Sequence, residues 1–180
     1  MTPAPRFEQA LARAASIFDE RKIAYALIGG LAVAAWGAPR STEDIDLLAQ
    51  APRSDELDRA LLAAGFAADW RRGGPDDPIP LLLRLGTASG PTIDVVCATR
   101  PWEREILARA VRVCLPDGAE VRVVAVDDLI VLKLLAGGPR DLADVVELLG
   151  VVGPLPELGA RAAARGVGDL LRRVRASLPD

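Results

Sequence analysis

Asp44 and Asp46 stand one residue apart in the run Glu-Asp-Ile-Asp-Leu-Leu. In an extended strand that spacing puts both carboxylates on one face, with Ile45 and Leu47 on the other. Two like charges beside an apolar strand call for a neutralising partner. A hard divalent cation such as Mg²⁺, held by one or two carboxylates with substrate phosphates completing its shell, meets that need. A solvated edge strand with two surface aspartates accounts for the same pair. Thirteen residues separate Gly30 from Asp44. Gly29-Gly30 ends an apolar run and opens another, so it is either a plain tight turn or a place where backbone N–H groups approach a phosphate that a Cβ would obstruct. A third acid, Asp94, is alone in Thr-Ile-Asp-Val-Val. Three acids on neighbouring strands beside a glycine turn make a constellation suited to phosphate chemistry.

The composition narrows the chemistry further. The 180 residues carry 22 basic and 25 acidic side chains, a net charge of −3, and 51% apolar residues. That apolar share is ample for one core, and the acidic balance argues against a protein that coats nucleic acid, although a local basic groove stays open. There is no histidine, so Ser-His-Asp and Cys-His catalysis are excluded and acid-base work falls to carboxylates or lysine. Two cysteines, Cys97 and Cys114, are too few for a disulfide framework. A reducing, cytoplasmic setting is the expectation. The longest uncharged stretch, residues 23–39, is broken by its glycines and falls short of a bilayer span.

These residues need elements to position them. Phe7, Leu11, Ala14 and Phe18 recur at helical spacing, predicting a helix over about 6–21. A buried strand over 23–28, a short helix closed by Gly37 and Pro39, and an acid-bearing strand over 43–49 follow. Ser54 with Asp55 and Glu56 predicts a helix start. Strands are expected near 66–72, 79–85 and 92–98, with a loop over 73–78. Pro101 predicts a helix over 102–112 and residues 120–126 a last strand. Asp127 or Asp128 would cap a helix reaching about Ala136, Gly137-Gly138-Pro139 would end it, and a further helix would run over 140–149. Two short helices are expected in 155–180. The fold class is therefore α/β, or α+β: a mixed sheet flanked by helices, with a core over 1–126 and a helical segment over 127–180 packed on it as a single domain.

The run Leu-Ile-Gly-Gly-Leu-Ala-Val-Ala-Ala-Trp-Gly-Ala-Pro-Arg-Ser-Thr-Glu-Asp-Ile-Asp-Leu-Leu, residues 27–48, resembles the signature of the DNA polymerase β-type nucleotidyltransferase superfamily. Gly29, Gly30, Asp44, Asp46 and Asp94 all match. The segment Arg40 to Asp46 is similar to the antibiotic-modifying and abortive-infection toxin-like (AbiEii-like) branches. Leu132 to Asp144, Leu-Lys-Leu-Leu-Ala-Gly-Gly-Pro-Arg-Asp-Leu-Ala-Asp, resembles the Lys and Arg-Asp-x-x-Asp element of the toxin-like branch.

That resemblance implies transfer of a nucleoside monophosphate from a nucleoside triphosphate to a hydroxyl, with release of pyrophosphate. Asp44 and Asp46 would hold Mg²⁺, or Mn²⁺ in its place, against the β- and γ-phosphates. Asp94 would join them at a second cation and help deprotonate the acceptor. Gly29, Gly30, Arg40, Ser41, Thr42, Lys133 and Arg140 would bind the nucleotide. Lys133 also reads as an exposed lysine on its helix, and Arg140 as a cation fixed by phosphate or by Asp144 one turn along. The acceptor, whether protein, RNA end or small molecule, is open, as is a protein partner or a homodimer; no membrane is implied. The rival reading is a noncatalytic binding partner in a toxin-antitoxin-like system that keeps the fold.

Overall fold

The computed structural model describes residues 5–38, 41–74, 77–88, 90–114 and 120–178. Arg40 and Pro39, together with parts of the predicted 73–78 loop, lie outside the described residues. Helix α1 (Pro5–Glu20) precedes strand β1 (Tyr25–Ile28), and α2 (Gly29–Ala35) follows without a gap. Then come β2 (Ile45–Ala49), α3 (Asp55–Ala63), β3 (Ala67–Arg72), β4 (Leu81–Gly86) and β5 (Ile93–Cys97). The order continues α4 (Pro101–Ala108), β6 (Val111–Cys114), β7 (Glu120–Val123), and then four helices: α5 (Val126–Ala136), α6 (Pro139–Val151), α7 (Leu158–Ala164) and α8 (Gly168–Ala176).

Among the described residues seven strands form one mixed sheet in the order β3-β4-β5-β2-β1-β7-β6. Strand β2 pairs antiparallel with β1 and parallel with β5, so the two acid-bearing strands are neighbours. Leu83, Leu85, Ile93, Val95, Ile45 and Leu47 are fully buried on one side of these strands. Arg84, Asp94 and Asp46 alternate with them and are only half-buried, as a period of two requires. Helix α2 packs on β1 and β2, and α5 packs against α2, α6 and α7. No helix among the described residues is long and apolar enough to cross a membrane.

Local chemistry explains where the elements start. Ser54 caps α3 by accepting a hydrogen bond from the Leu57 N–H at 3.3 Å. Pro101 and Pro139 stand in the first turns of α4 and α6, where the missing N–H costs nothing. Two expectations differ from the structure. The helix over 102–112 ends at Ala108, and Val111–Cys114 instead pairs antiparallel with β7 as an edge strand; Val-Arg-Val-Cys alternates and is β-branched, which favours the pleated surface. Neither Asp127 nor Asp128 is the N-cap of α5: the helix starts at Val126 with Ala125 in that position, so both acids lie within its first turn, where Asp127 Oδ1 accepts the Asp128 N–H at 3.1 Å and both carboxylates face arginines. Arg109 donates Nε and Nη2 to Asp128 at 2.9 Å each, and Arg161 Nε lies 2.6 Å from Asp127 Oδ2.

Candidate active site

Asp44 immediately precedes β2 and Asp46 is its second residue. Ile45 between them is fully buried, which fixes the strand's roll and turns both carboxylates to the cleft side. Thr42 Oγ1 donates to the Asp44 carbonyl at 3.2 Å and braces the approach to the strand. Ile28 is the register partner of Asp46 across the antiparallel pair, so Gly29 lies against the aspartate. A Cβ at Gly29 would come within 2.1 Å of Asp46 Oδ2, and its φ is +63°. Glycine is needed there for two independent reasons: the left-handed backbone and the space occupied by a carboxylate. Its role in this structure is to seat Asp46.

Asp94 is the register partner of Asp46 on the parallel strand β5. On its other side Arg84 of β4 is directly opposite and grips it as a fork, Nε to Oδ1 and Nη2 to Oδ2 at 2.7 Å each. Those hydrogen bonds, and the fields of Asp94, Asp44 and Asp69, push the Arg84 pKa further up. The sequence held a sign of this residue that went unread: a lone arginine inside Leu-Leu-Leu-Arg-Leu, matching a lone aspartate inside a similarly apolar strand.

The opposite wall of the cleft is helical. Helix α5 is apolar nearly all round, Val-Asp-Asp-Leu-Ile-Val-Leu-Lys-Leu-Leu-Ala, so it is buried on most sides, and Lys133 is only 8% exposed rather than on a solvated face. Its Nζ donates to Asp141 Oδ1 at 2.9 Å and lies 2.7 Å from Asp144 Oδ2. Asp144 thus engages Lys133. Arg140, at the start of α6, is exposed. The cleft between these walls has a volume of about 750 Å³ and is lined by Gly30, Ser41, Thr42, Glu43, Asp44, Asp46, Lys133, Arg140, Asp141, Ala143 and Asp144. Asp94 is outside that lining, and no group of three acids, cysteines or histidines is arranged to hold a metal among the described residues.

Five carboxylates face two cations in this lining, so a free triphosphate would meet repulsion. The donor set fits a hard divalent cation in phosphate company: hard oxygen ligands, two of them at the start of β2, with room for waters and phosphate oxygens. It does not make a closed protein cage.

A sequence model of the nucleotidyl transferase AbiEii toxin family, of type IV toxin-antitoxin systems, matches residues 9–173. No curated protein sequence matches the chain. Among solved structures, the antibiotic-resistance factor ANT(2'')-Ia superposes with a TM-score of 0.60 at 16% identity, over 92% of this chain and 95% of its own. An antigenic nucleotidyltransferase-like protein from Paracoccidioides brasiliensis gives 0.55 at 19% identity, over 96% and 94%. The lincosamide antibiotic adenylyltransferase LnuA, solved with lincomycin bound, gives 0.50 at 14% identity, over 81% and 98%. These likenesses concern the fold. The family match runs through both walls of the cleft, and on it the chain belongs to the AbiEii nucleotidyl transferase family.

Proposed function

We propose that the cleft transfers a nucleoside monophosphate from a nucleoside triphosphate to a hydroxyl acceptor, with release of pyrophosphate and dependence on Mg²⁺. Nucleotidyl transfer is the chemistry of the family. The observation that carries the finer reading is the joint lining of one cleft by Asp44 and Asp46 from the sheet and by Lys133 and Arg140 from α5 and α6. In this reading Asp44 and Asp46 hold the cation, which when bound neutralises phosphate charge and orients the β- and γ-phosphates. Ser41 and Thr42 offer hydroxyl donors, and Lys133 and Arg140, with Arg40, offer positive charge to the same phosphates. Gly29 keeps Asp46 in place and Gly30 forms the adjoining wall. The acceptor oxygen attacks the α-phosphorus, the bond to the bridging oxygen breaks, and the acceptor proton passes to Asp94. The helical segment 127–180 completes the site rather than forming a separate module.

The test is titration with ATP and the other nucleoside triphosphates, with and without Mg²⁺, by calorimetry on the wild type and on Asp44→Asn with Asp46→Asn. Metal-dependent binding in the wild type, lost in the double variant with transfer down about 100-fold or more, is the expected result. No binding by a well-folded wild type overturns the reading and favours the noncatalytic partner of a toxin-antitoxin-like system. Binding established, a radiolabel-transfer search among proteins, RNAs and small molecules identifies the acceptor.

A further inference from the structure

Lys133 cannot serve a phosphate without loosening a contact it already makes. Its ammonium, on a residue 8% exposed, is held between two carboxylates of α6: Nζ donates to Asp141 Oδ1 at 2.9 Å and lies 2.7 Å from Asp144 Oδ2. All three residues line the cleft. The two carboxylates are not equivalent. The Asp144 side chain is 10% exposed and stands beyond the first turn of α6, whereas the Asp141 side chain is 26% exposed and belongs to that turn. Gly138, the N-cap of α6, has no side chain to satisfy the helix start, and a Cβ built on it would come within 3.0 Å of Asp141 Oδ2. One oxygen of Asp141 thus meets Lys133 while the other sits over the start of α6, where uncommitted backbone N–H groups and the positive end of the helix favour an acid. With α6 beginning at Pro139, Asp141 is its third residue, the position from which a carboxylate reaches back to the N-cap N–H. Asp141 therefore has a second place for its charge within reach. Asp144 lies past that end, because the effect fades within the first turn.

We propose that Asp141 is a positioning residue that neutralises Lys133 while the cleft holds no nucleotide and yields it to the triphosphate, with Asp144 keeping the ammonium aimed throughout. The inference rests on the nucleotidyl-transfer reading of the cleft and deepens it by assigning how the lysine is delivered. On exchange, one charge-assisted hydrogen bond, Lys133 to Asp141, is replaced by another, Lys133 to a phosphate oxygen, and Asp141 turns to the α6 N-terminus. Asp141 thereby weakens the hold of Lys133 on any anion. In return, a nearly buried ammonium on an apolar helix keeps its counter-charge whether or not the cleft is filled. The Gly137-Gly138 link, with Gly137 at φ +65°, folds α6 back beside α5, so one helical hairpin carries both the lysine and the carboxylate that competes for it.

The experiment is calorimetric titration with each of the four ribonucleoside triphosphates in the presence of Mg²⁺. It compares the full-length wild type, Asp141→Asn and Asp144→Asn, each checked for folding by circular dichroism. Both variants remove one carboxylate from the same ammonium, so general repulsion of a triphosphate would be relieved in both alike. The exchange predicts a split. Asp141→Asn is expected to bind about fivefold or more tightly than the wild type, and Asp144→Asn no more tightly than the wild type, because it leaves Lys133 to Asp141 alone. A second readout follows Lys133 itself. The chain has two lysines, and Lys22 is exposed, so acylation by acetic anhydride, read by mass spectrometry with Lys22 as internal reference, reports how firmly Lys133 is engaged. Asp141→Asn should speed Lys133 acylation severalfold in the free protein, and Mg²⁺ with triphosphate should suppress it in wild type and variant. Equal gains in affinity in the two variants overturn the proposal, as does the absence of a gain in Asp141→Asn or an unchanged rate of Lys133 acylation there. Should Asp144→Asn not fold, Asp141→Asn decides alone and must show both the tighter binding and the faster acylation. Failure of the wild type to bind any nucleoside triphosphate with Mg²⁺ would instead remove the reading on which the inference rests.

Discussion

Asp46 shows how much of a site one residue can organise. Its carboxylate occupies the space a Gly29 side chain would need, is flanked in register by Ile28 and Asp94, and lines the cleft. The glycine pair in the sequence reads as a place for phosphate to approach; in the structure, the first glycine makes room for an aspartate. This distinction can be measured. Gly37 also has a left-handed φ, +93°, but a Cβ there would meet nothing within 4 Å. Gly37→Ala should therefore lower stability by about 1–2 kcal/mol from backbone strain alone and leave nucleotide binding intact. Gly29→Ala carries the same strain plus a collision with Asp46. It should lower stability more and abolish Mg²⁺-dependent nucleotide binding, as read by thermal melts and calorimetry on both variants. Equal effects of the two substitutions would mean that Gly29 serves the turn and not the aspartate.

At the level of elements, the carboxylates of α5, paired with Arg109 at the end of α4 and Arg161 of α7, tie α5 to its helical neighbours. Asp128 is 4% exposed while Arg109 is 34% exposed, and the asymmetry sets the order of two variants. Arg109→Ala leaves a nearly buried carboxylate that, among the described residues, keeps Arg161 at 3.8 Å as its remaining cation, at a cost of about 3 kcal/mol or more. Asp128→Asn keeps acceptor capacity facing an arginine that reaches water, at a cost of about 1–2 kcal/mol. Denaturant unfolding of both should give that ranking; the reverse would place the stability in the arginine's packing. The helices carrying these residues were legible from capping, proline and apolar spacing. The roles of Asp127 and Asp128 were not, because an acid at a helix start reads as a cap until its partner, 19 residues upstream for Asp128 or 34 downstream for Asp127, is brought alongside. Lys133 was ambiguous for a related reason. Its neighbours in sequence are apolar on every side of the helix, and only the packing of α5 against α2, α6 and α7 shows that no solvated face remains for it. The edge strand Val111–Cys114 was missed because four residues following a good helix start carry too little periodicity to end that helix.

For the whole molecule, the sheet order brings acids 48 positions apart in the chain, Asp46 and Asp94, onto adjacent parallel strands, and lets α5 and α6 build the other wall. The motif spacing disclosed the acids and the fold class; the pairing of Arg84 with Asp94 depends on β4 lying beside β5, which no local pattern reveals. Global stability follows a simpler rule. Without histidine, no side chain has its ordinary titration between about pH 5 and 8, so a broad plateau of stability is expected across neutrality. The alkaline limb is set by groups kept protonated in the fold. Burial, the field of Asp19 and the hydrogen bond to its carboxylate at 3.3 Å push Tyr25 from 10.0 up to about 12. Burial pushes Cys97 from 9.0 up to about 11. In both cases the unfolded chain loses its proton first, so the stabilisation is complete below the unfolded value and declines as pH rises through the folded one. For Cys97 that window runs from 9.0 to about 11, and for Tyr25 from 10.0 to about 12. Each shift amounts to roughly 3 kcal/mol once its window has been crossed. Tyr25→Phe removes one of these titrations, so the stability difference between wild type and variant should move by about that amount in favour of the variant from about pH 9 to 12. Urea unfolding across this range measures it. A difference that stays constant would show that the Tyr25 hydroxyl ionises with equal ease in both states, and that the bond to Asp19 does not link α1 to the sheet.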